Sequence, residues 1–337
     1  MPASAHVAIH PSQFPQQVQR DLLESLLTRK VNHKFHYDSI KQTQKWLALH
    51  QAYSPSRTDP DCAATYEGSF VAATAAIPAR RVHLVGLGCG GGQKDARLLH
   101  LLRGSAKETF YTPVDVSTAM VLVARQASLA VIDETHCFPL VCDLATTEDL
   151  PEVVEQITRN LNPGRKGVTT ARLFTFFGML PNFEPQTILP RLAALVRLSG
   201  QLLLSANLAP GVDYAAGVRR IMPLYDNQPT RDWLATFLLD LGVESSDGKL
   251  RFEIEAKPPG LGLKRVTAYF QFKRSREIRV ETHRFQFQAG ESIRLFFSYR
   301  HTPELVGTLL RQHRLAVREQ WITQSGEEGV FMICSSS

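Results

Sequence analysis

Three places in the 337-residue chain carry chemistry that belongs together. The first is Val82-His83-Leu84-Val85-Gly86-Leu87-Gly88-Cys89-Gly90-Gly91-Gly92-Gln93-Lys94. An apolar, β-branched run halts there at a glycine cluster, and an amphipathic segment over 96–102 follows. The pattern reads as strand, tight loop, helix. Glycines let the backbone turn sharply and approach a ligand where a Cβ would block it. The helix behind them offers unpaired N–H groups and a positive dipole end to an anion. The second place is Asp115, in Tyr111-Thr112-Pro113-Val114-Asp115-Val116-Ser117, at the end of the next strand. A carboxylate there suits two ribose hydroxyls. The third is Cys142-Asp143-Leu144, where Asp143 suits an adenine amino group and Leu144 the face of the ring. Each has a plainer reading: glycine turns occur without ligands, Asp115 fits a helix N-cap, and Asp143 fits a turn. Taken in order, the three describe an adenosine laid across a sheet edge.

The elements that must position these residues follow from periodicity. Strands are predicted over 82–88, 110–116, 137–143, 172–177 and 201–207, with helices over 95–102, 118–128, 151–160 and 186–197 between them. This alternation implies an α/β fold with a mostly parallel sheet covered on both faces. Residues 12–50 read as helical, and the Pro-rich 53–60 as a loop. After Asn207 the rhythm changes. Residues 213–241 read as helix, and 250–256, 264–273, 277–287 and 292–299 as antiparallel strands of a second lobe. A helix over 303–312 and strands over 316–322 and 330–334, joined by 325–329, close the chain with a hairpin. That hairpin is at home on a methyltransferase sheet and less expected in a dinucleotide dehydrogenase.

Composition narrows the classes. The net charge of +6 comes without a dense basic block, so nucleic-acid binding is not indicated. The most basic stretch, 273–281, alternates charged with apolar residues and reads as one solvated strand face. No apolar run approaches the ~20 residues of a membrane span, and the first six residues lack the build of a secretory leader. Five cysteines without CxxC spacing fit reduced thiols in a cytoplasmic protein and neither a disulfide framework nor a metal site. A monomer is expected.

Several motifs resemble the S-adenosylmethionine-dependent, histidine-specific N-methyltransferases of ergothioneine synthesis and their relatives that methylate tryptophan derivatives. Lys34-Phe35-His36-Tyr37-Asp38 is similar to K-[WY]-F-Y-D, and Tyr53-Ser54-Pro55-Ser56-Arg57-Thr58-Asp59 to Y-Y-P-T-R-T-E. Leu87-Gly88-Cys89-Gly90 with Lys94, and Pro113-Val114-Asp115-Val116-Ser117, match the family's L-G-S-G and P-V-D-V-S. Gly178-Met179-Leu180-Pro181-Asn182-Phe183 is one residue shorter than G-S-T-I-G-N-F, and Gly290-Glu291-Ser292-Ile293-Arg294 with Ser298 resembles G-E-x-I-R-T-E-x-S. The resemblance implies a Rossmann-like class I methyltransferase domain (58–213 plus 301–337) interrupted by an α+β substrate-binding lobe (1–57 plus 214–300). Gly88, Gly90, Lys94, Asp115, Asp143 and Leu144 would hold S-adenosylmethionine, with Lys94 toward its methionine carboxylate. Tyr53, Asn182 and Tyr225 would bind the α-amino and carboxylate groups of the acceptor, and Gly178 lies in the same loop. Tyr37, Phe296 and Ser298 would line the pocket for its side chain. Tyr53 and Asn182 are the expected catalytic pair, orienting the amine, with Tyr53 or water relaying its proton.

Two departures bear on the acceptor and a third on the cofactor. Phe296 stands where the histidine-specific enzymes carry Glu, so an imidazole N–H loses its acceptor there. Ala268 falls where a larger Met is usual. Together they point to an aromatic or apolar amino-acid-derived acceptor such as an indole, with histidine as the alternative. Gly86 replaces the acid that ordinarily precedes the glycines, a change expected to weaken cofactor binding. A nicotinamide-dependent oxidoreductase and a non-catalytic sensor are the readings from other classes.

Overall fold

The computed structural model describes residues 5–161, 169–197, 200–256 and 260–336. Part of the N-terminal stretch read for a leader, residues 1–4, lies outside them. The N-terminal half holds β1 (Ala8–Ile9), α1 (Pro15–Leu27), α2 (Ile40–Tyr53), α3 (Pro55–Thr58) and α4 (Pro60–Ala75). The alternating core follows as β2 (Arg81–Leu87), α5 (Gln93–Gly104), β3 (Glu108–Asp115), α6 (Thr118–Ser128), β4 (Leu140–Val141), α7 (Leu150–Asn160), β5 (Ala171–Phe176), α8 (Pro185–Arg197) and β6 (Gly200–Asn207). Then come α9 (Tyr214–Arg220), α10 (Gln228–Asp240), β7 (Gly248–Ala256), β8 (Lys264–Phe272), β9 (Arg276–Val280), β10 (His283–Phe287) and β11 (Ser292–Arg300). The chain ends with α11 (Pro303–Arg311), β12 (Leu315–Ile322) and β13 (Glu328–Ser335).

Among the described residues one sheet runs β1-β4-β3-β2-β5-β6-β13-β12, parallel except for the terminal hairpin β12–β13, which pairs antiparallel to β6. This is a Rossmann-like α/β sheet. β2 is buried along its whole length, as a strand covered on both faces must be. The order reverses between β3 and β5 on either side of β2, and ligands of such sheets bind beyond the strand ends at that point. A second apolar core gathers Leu26, Phe35, Trp233, Phe237, Val266, Phe270 and Leu295 around the three-stranded sheet β11-β8-β7 and the hairpin β9–β10. The basic stretch 273–281 is largely paired off: Arg274 and Arg276 reach Asp247, and Arg279 reaches Glu277. The five cysteines are free, and no helix among the described residues is long and apolar enough to cross a membrane.

Five sequence expectations need correction. The Pro-rich 53–60 is not a loop. Pro55 and Pro60 start new helices, and Asp59 caps the second by accepting from the Asp61 N–H at 3.0 Å; proline at N1 begins a helix as readily as it ends one. Residues 12–50 are broken at 28–39, where Asn32 caps a 3₁₀ turn and Ser39 opens α2 with a capping box. The strand expected over 277–287 is a hairpin that turns at Glu281, whose φ is 50°. The one expected over 137–143 pairs as β4 only at Leu140–Val141. The helix expected over 213–241 splits into α9 and α10, with Asn227 capping the second.

Candidate active site

One cavity of about 1,010 Å³ opens where the Gly loop, the ends of β3 and β4 and the second lobe meet. The loop is held from beneath, because the Gly88 and Cys89 N–H groups donate to the Val114 carbonyl at 2.8 and 3.0 Å. Gly92 is the N-cap of α5 with a φ of 74°. A Cβ there would lie 2.6 Å from the Ala124 Cα, so only glycine allows both this conformation and the close approach of α6. Asp115 ties strand to loop: its Oδ2 accepts from the Gly90 N–H at 3.1 Å and its Oδ1 from the Ser117 N–H at 3.0 Å. Burial nevertheless pushes its carboxyl up to about 6, against the opposing pull of those hydrogen bonds.

Asp143 lies beyond β4. Its Oδ1 accepts from the Ala145 N–H at 2.8 Å. Its Oδ2 is buried, has no hydrogen-bond partner, and stands 3.7 Å from Lys34 Nζ. Lys34 in turn pairs with Asp21 of α1. Leu144 is buried and lines the cavity next to Asp143. Lys94 Nζ lies 3.8 Å from the Tyr66 ring centroid and 5.7 Å from that of Phe177. Burial lowers its pKa, a sign of a cation held away from water.

The opposite wall comes from the second lobe. His33 accepts the Phe297 N–H at its Nε2, 3.3 Å away. Its proton therefore sits on Nδ1, which is buried without a partner. Burial, aided by His36, Arg294 and Arg265, holds His33 well below its ordinary pKa, so it is neutral. Arg294 faces the same cavity over the Phe297 ring, at 4.9 Å to its centroid. Trp46, stacked on His50 at 4.8 Å, and Tyr37, edge-on to Trp46 at 5.9 Å, add aromatic walls.

Residues 18–334 match the sequence model of the family described as histidine-specific, SAM-dependent methyltransferases. The chain belongs to this family. It is thus an enzyme that uses S-adenosylmethionine, which displaces the oxidoreductase and sensor readings. Among solved structures the methyltransferase is similar to CcbJ from Streptomyces caelestis (12% identity, 80% of this chain and 96% of that one, TM-score 0.39). It is also similar to the Burkholderia thailandensis 1,6-didemethyltoxoflavin-N1-methyltransferase (11% identity, 100% and 94%, TM-score 0.40). A third is the mitomycin 7-O-methyltransferase MmcR (13% identity, 96% and 70%, TM-score 0.42). Likenesses this distant carry no argument about substrate. No curated protein sequence matches the chain.

The residues present fit the cofactor of the methyltransferase. Asp143 Oδ2, buried without a hydrogen-bond partner and with only Lys34 Nζ near it at 3.7 Å, has room for a donor of the kind an adenine amino group supplies, and Asp115 borders the same cavity a strand away. Gly88, Gly90, Lys94, Asp115, Asp143 and Leu144 all border this one space. So do Tyr37, Gly178 and Asn182 from the expected acceptor set.

Four expected acceptor residues stand elsewhere. Tyr53 is 63% exposed and outside the cavity walls, because α2 runs on to Tyr53 and α3 begins two residues later. Tyr225, Phe296 and Ser298 are buried in the second-lobe core and do not line the cavity. The Tyr225 hydroxyl and Ser298 Oγ meet at 2.8 Å. Phe296 stacks behind His33, with centroids 5.0 Å apart and planes at 19°. The cause is a bulge in β11 between Arg294 and Phe296. It breaks the alternation that would carry 294, 296 and 298 to one face, and Arg294 and Phe297 face the cavity instead. Sequence reasoning missed Arg294, His33 and Trp46 as wall residues. Arg294 lay inside a quoted motif, but nothing in the sequence announced the bulge.

Proposed function

We propose that this methyltransferase places a methyl group on the amine nitrogen of a small amino-acid-type acceptor with an aromatic side chain, and that Arg294 receives the acceptor's carboxylate. The state of Arg294 carries this reading. It faces the cavity, its Nε is buried without a partner, and its guanidinium forms no hydrogen bond or ion pair among the described residues. The neighbouring Arg265 is already engaged, at 2.9 Å from Glu184 and 3.0 Å from Glu255. A half-buried guanidinium without a hydrogen bond or ion pair is costly, and a carboxylate offers the planar match its fork prefers. His33 can add its Nδ1–H as a neutral donor beside it. The rings of Trp46, Tyr37 and Phe297 suit a flat apolar side chain.

The cofactor supplies an electrophilic methyl on a sulfonium, and the protein's task is alignment at near-attack distance. Asn182 has no side-chain hydrogen bond among the described residues and orients the amine through its amide oxygen. The Tyr37 hydroxyl, its pKa raised by burial and by the nearby Asp115, stays protonated and donates. The amine proton leaves to water rather than to the exposed Tyr53. Histidine as acceptor is the second reading. The family match favours it, and Glu184 brings a carboxylate to the cavity wall, although that carboxylate accepts from Arg265 and Tyr299.

The test is label transfer from the cofactor to tryptophan, substituted tryptophans, phenylalanine, tyrosine and histidine, each beside its decarboxylated amine, with products read by mass. Aromatic amino acids are the expected acceptors and their amines poor ones. Arg294→Gln raises KM for the acid by about tenfold or more, with a smaller change in kcat. Transfer to histidine alone, or equal turnover of acid and amine, overturns the reading.

A further inference from the structure

Gly86 and Asp95 compete for one place in the molecule. Gly86 sits near the end of β2, where the resemblance leads one to expect an acid. A side chain has no room there: a Cβ on Gly86 would lie 2.1 Å from Asp95 Oδ2, and 3.0 Å from the Tyr111 hydroxyl. Asp95, in the first turn of α5, reaches back and sets its carboxylate over that glycine. Two hydroxyls from the flanking strands hold it. Tyr111 of β3 donates to Oδ2 and Thr175 of β5 donates to Oδ1, both at 2.7 Å.

Asp95 is only 3% exposed, yet it borders the cavity together with Gly88, Lys94 and Thr175. It has no ion pair among the described residues. Each oxygen accepts one hydroxyl and keeps further acceptor capacity. A buried carboxylate fixed by two neutral donors and facing a cavity is a site prepared for a cation. The neighbouring Lys94 is partly buried, has no ion pair among the described residues, and fits an anion in the same way. Lys94 and Asp95 together complement a zwitterion, and the amino-acid end of S-adenosylmethionine is one.

We infer that Asp95 binds the ammonium group of the cofactor's methionine moiety, so that a carboxylate absent from β2 is supplied from the first turn of α5. Gly86 is then a requirement of that arrangement, because its missing side chain is the space the Asp95 carboxylate fills.

The test compares two ligands on the full chain by calorimetry: S-adenosylhomocysteine, and 5′-methylthioadenosine, which lacks the amino-acid group. The wild-type protein is expected to prefer the former. Asp95→Asn weakens S-adenosylhomocysteine about 10- to 100-fold and leaves methylthioadenosine within a few-fold. Gly86→Asp alone forces two carboxylates together and binds both ligands poorly. The double variant Gly86→Asp/Asp95→Thr returns the acid to β2 and regains the preference. Equal loss of both ligands in Asp95→Asn marks a structural role and overturns the inference, as does no loss of either. Should Asp95→Asn fail to fold, the double variant decides: a restored preference supports the inference and an absent one overturns it. A wild-type protein that does not distinguish the two ligands overturns it outright.

Discussion

At the residue scale, Asp115 is the group whose charge state matters most near neutral pH. Its carboxyl titrates at about 6 in the folded chain, against an ordinary value of 3.8. Keeping it ionised therefore costs stability above that pH, and the cost disappears as pH falls toward 3.8 and the folded protein takes up the proton first. Ribose hydroxyls need the ionised form as acceptor. If Asp115 holds them, S-adenosylhomocysteine affinity is flat above about pH 7 and falls through 6, approaching about tenfold per unit below it. Asp115→Asn binds more weakly and loses this slope. Calorimetric titrations between pH 7.5 and 5 measure both, and a wild-type curve without the slope removes Asp115 from the ribose contact.

At the element scale, the Gly loop and its helix behave as one fitting. Gly92 combines a left-handed backbone with a packing distance that leaves no room for Cβ. Gly92→Ala is expected to cost about 1–3 kcal/mol for the backbone conformation alone, with the collision against α6 adding to it. Denaturant unfolding should show a lower midpoint with an unchanged slope; an unaltered midpoint would mean that α6 yields freely. The loop was legible in the sequence because its signal is local: an apolar run, glycines, an amphipathic run. The bulge in β11 was not. Strand alternation is the default inference from period two, and one extra residue reverses it for everything downstream. That is why Phe296, read as a pocket residue, stands behind His33 and Phe297 takes the wall.

At the scale of the whole molecule, Lys34 joins what the sequence separates. It pairs with Asp21 of α1 and stands 3.7 Å from Asp143, beyond β4 of the large sheet. All three side chains are largely buried. Lys34→Met would leave two carboxylates without their cation, at an expected cost of about 3 kcal/mol or more. It should also weaken S-adenosylhomocysteine binding, since Asp143 loses its support. Unfolding and ligand titration on the same variant check this; unchanged stability would show that the carboxylates simply take up protons.

The sequence by itself determined the alternating architecture, the terminal hairpin, the Gly loop and the two strand-end carboxylates. These follow from short-range rules: periodicity, capping and the position of Asp at the end of a parallel strand. It also raised the question of Gly86, without the means to answer it. The tertiary structure alone decided that Asp95 fills the space over Gly86, that Arg294 faces the cavity without a partner, and that Tyr53 lies outside. Each of these depends on where a side chain ends after a turn, a bulge or a helix restart, and on which distant residue has already claimed its partner. Such pairings are set by packing across elements, which local sequence pattern does not encode.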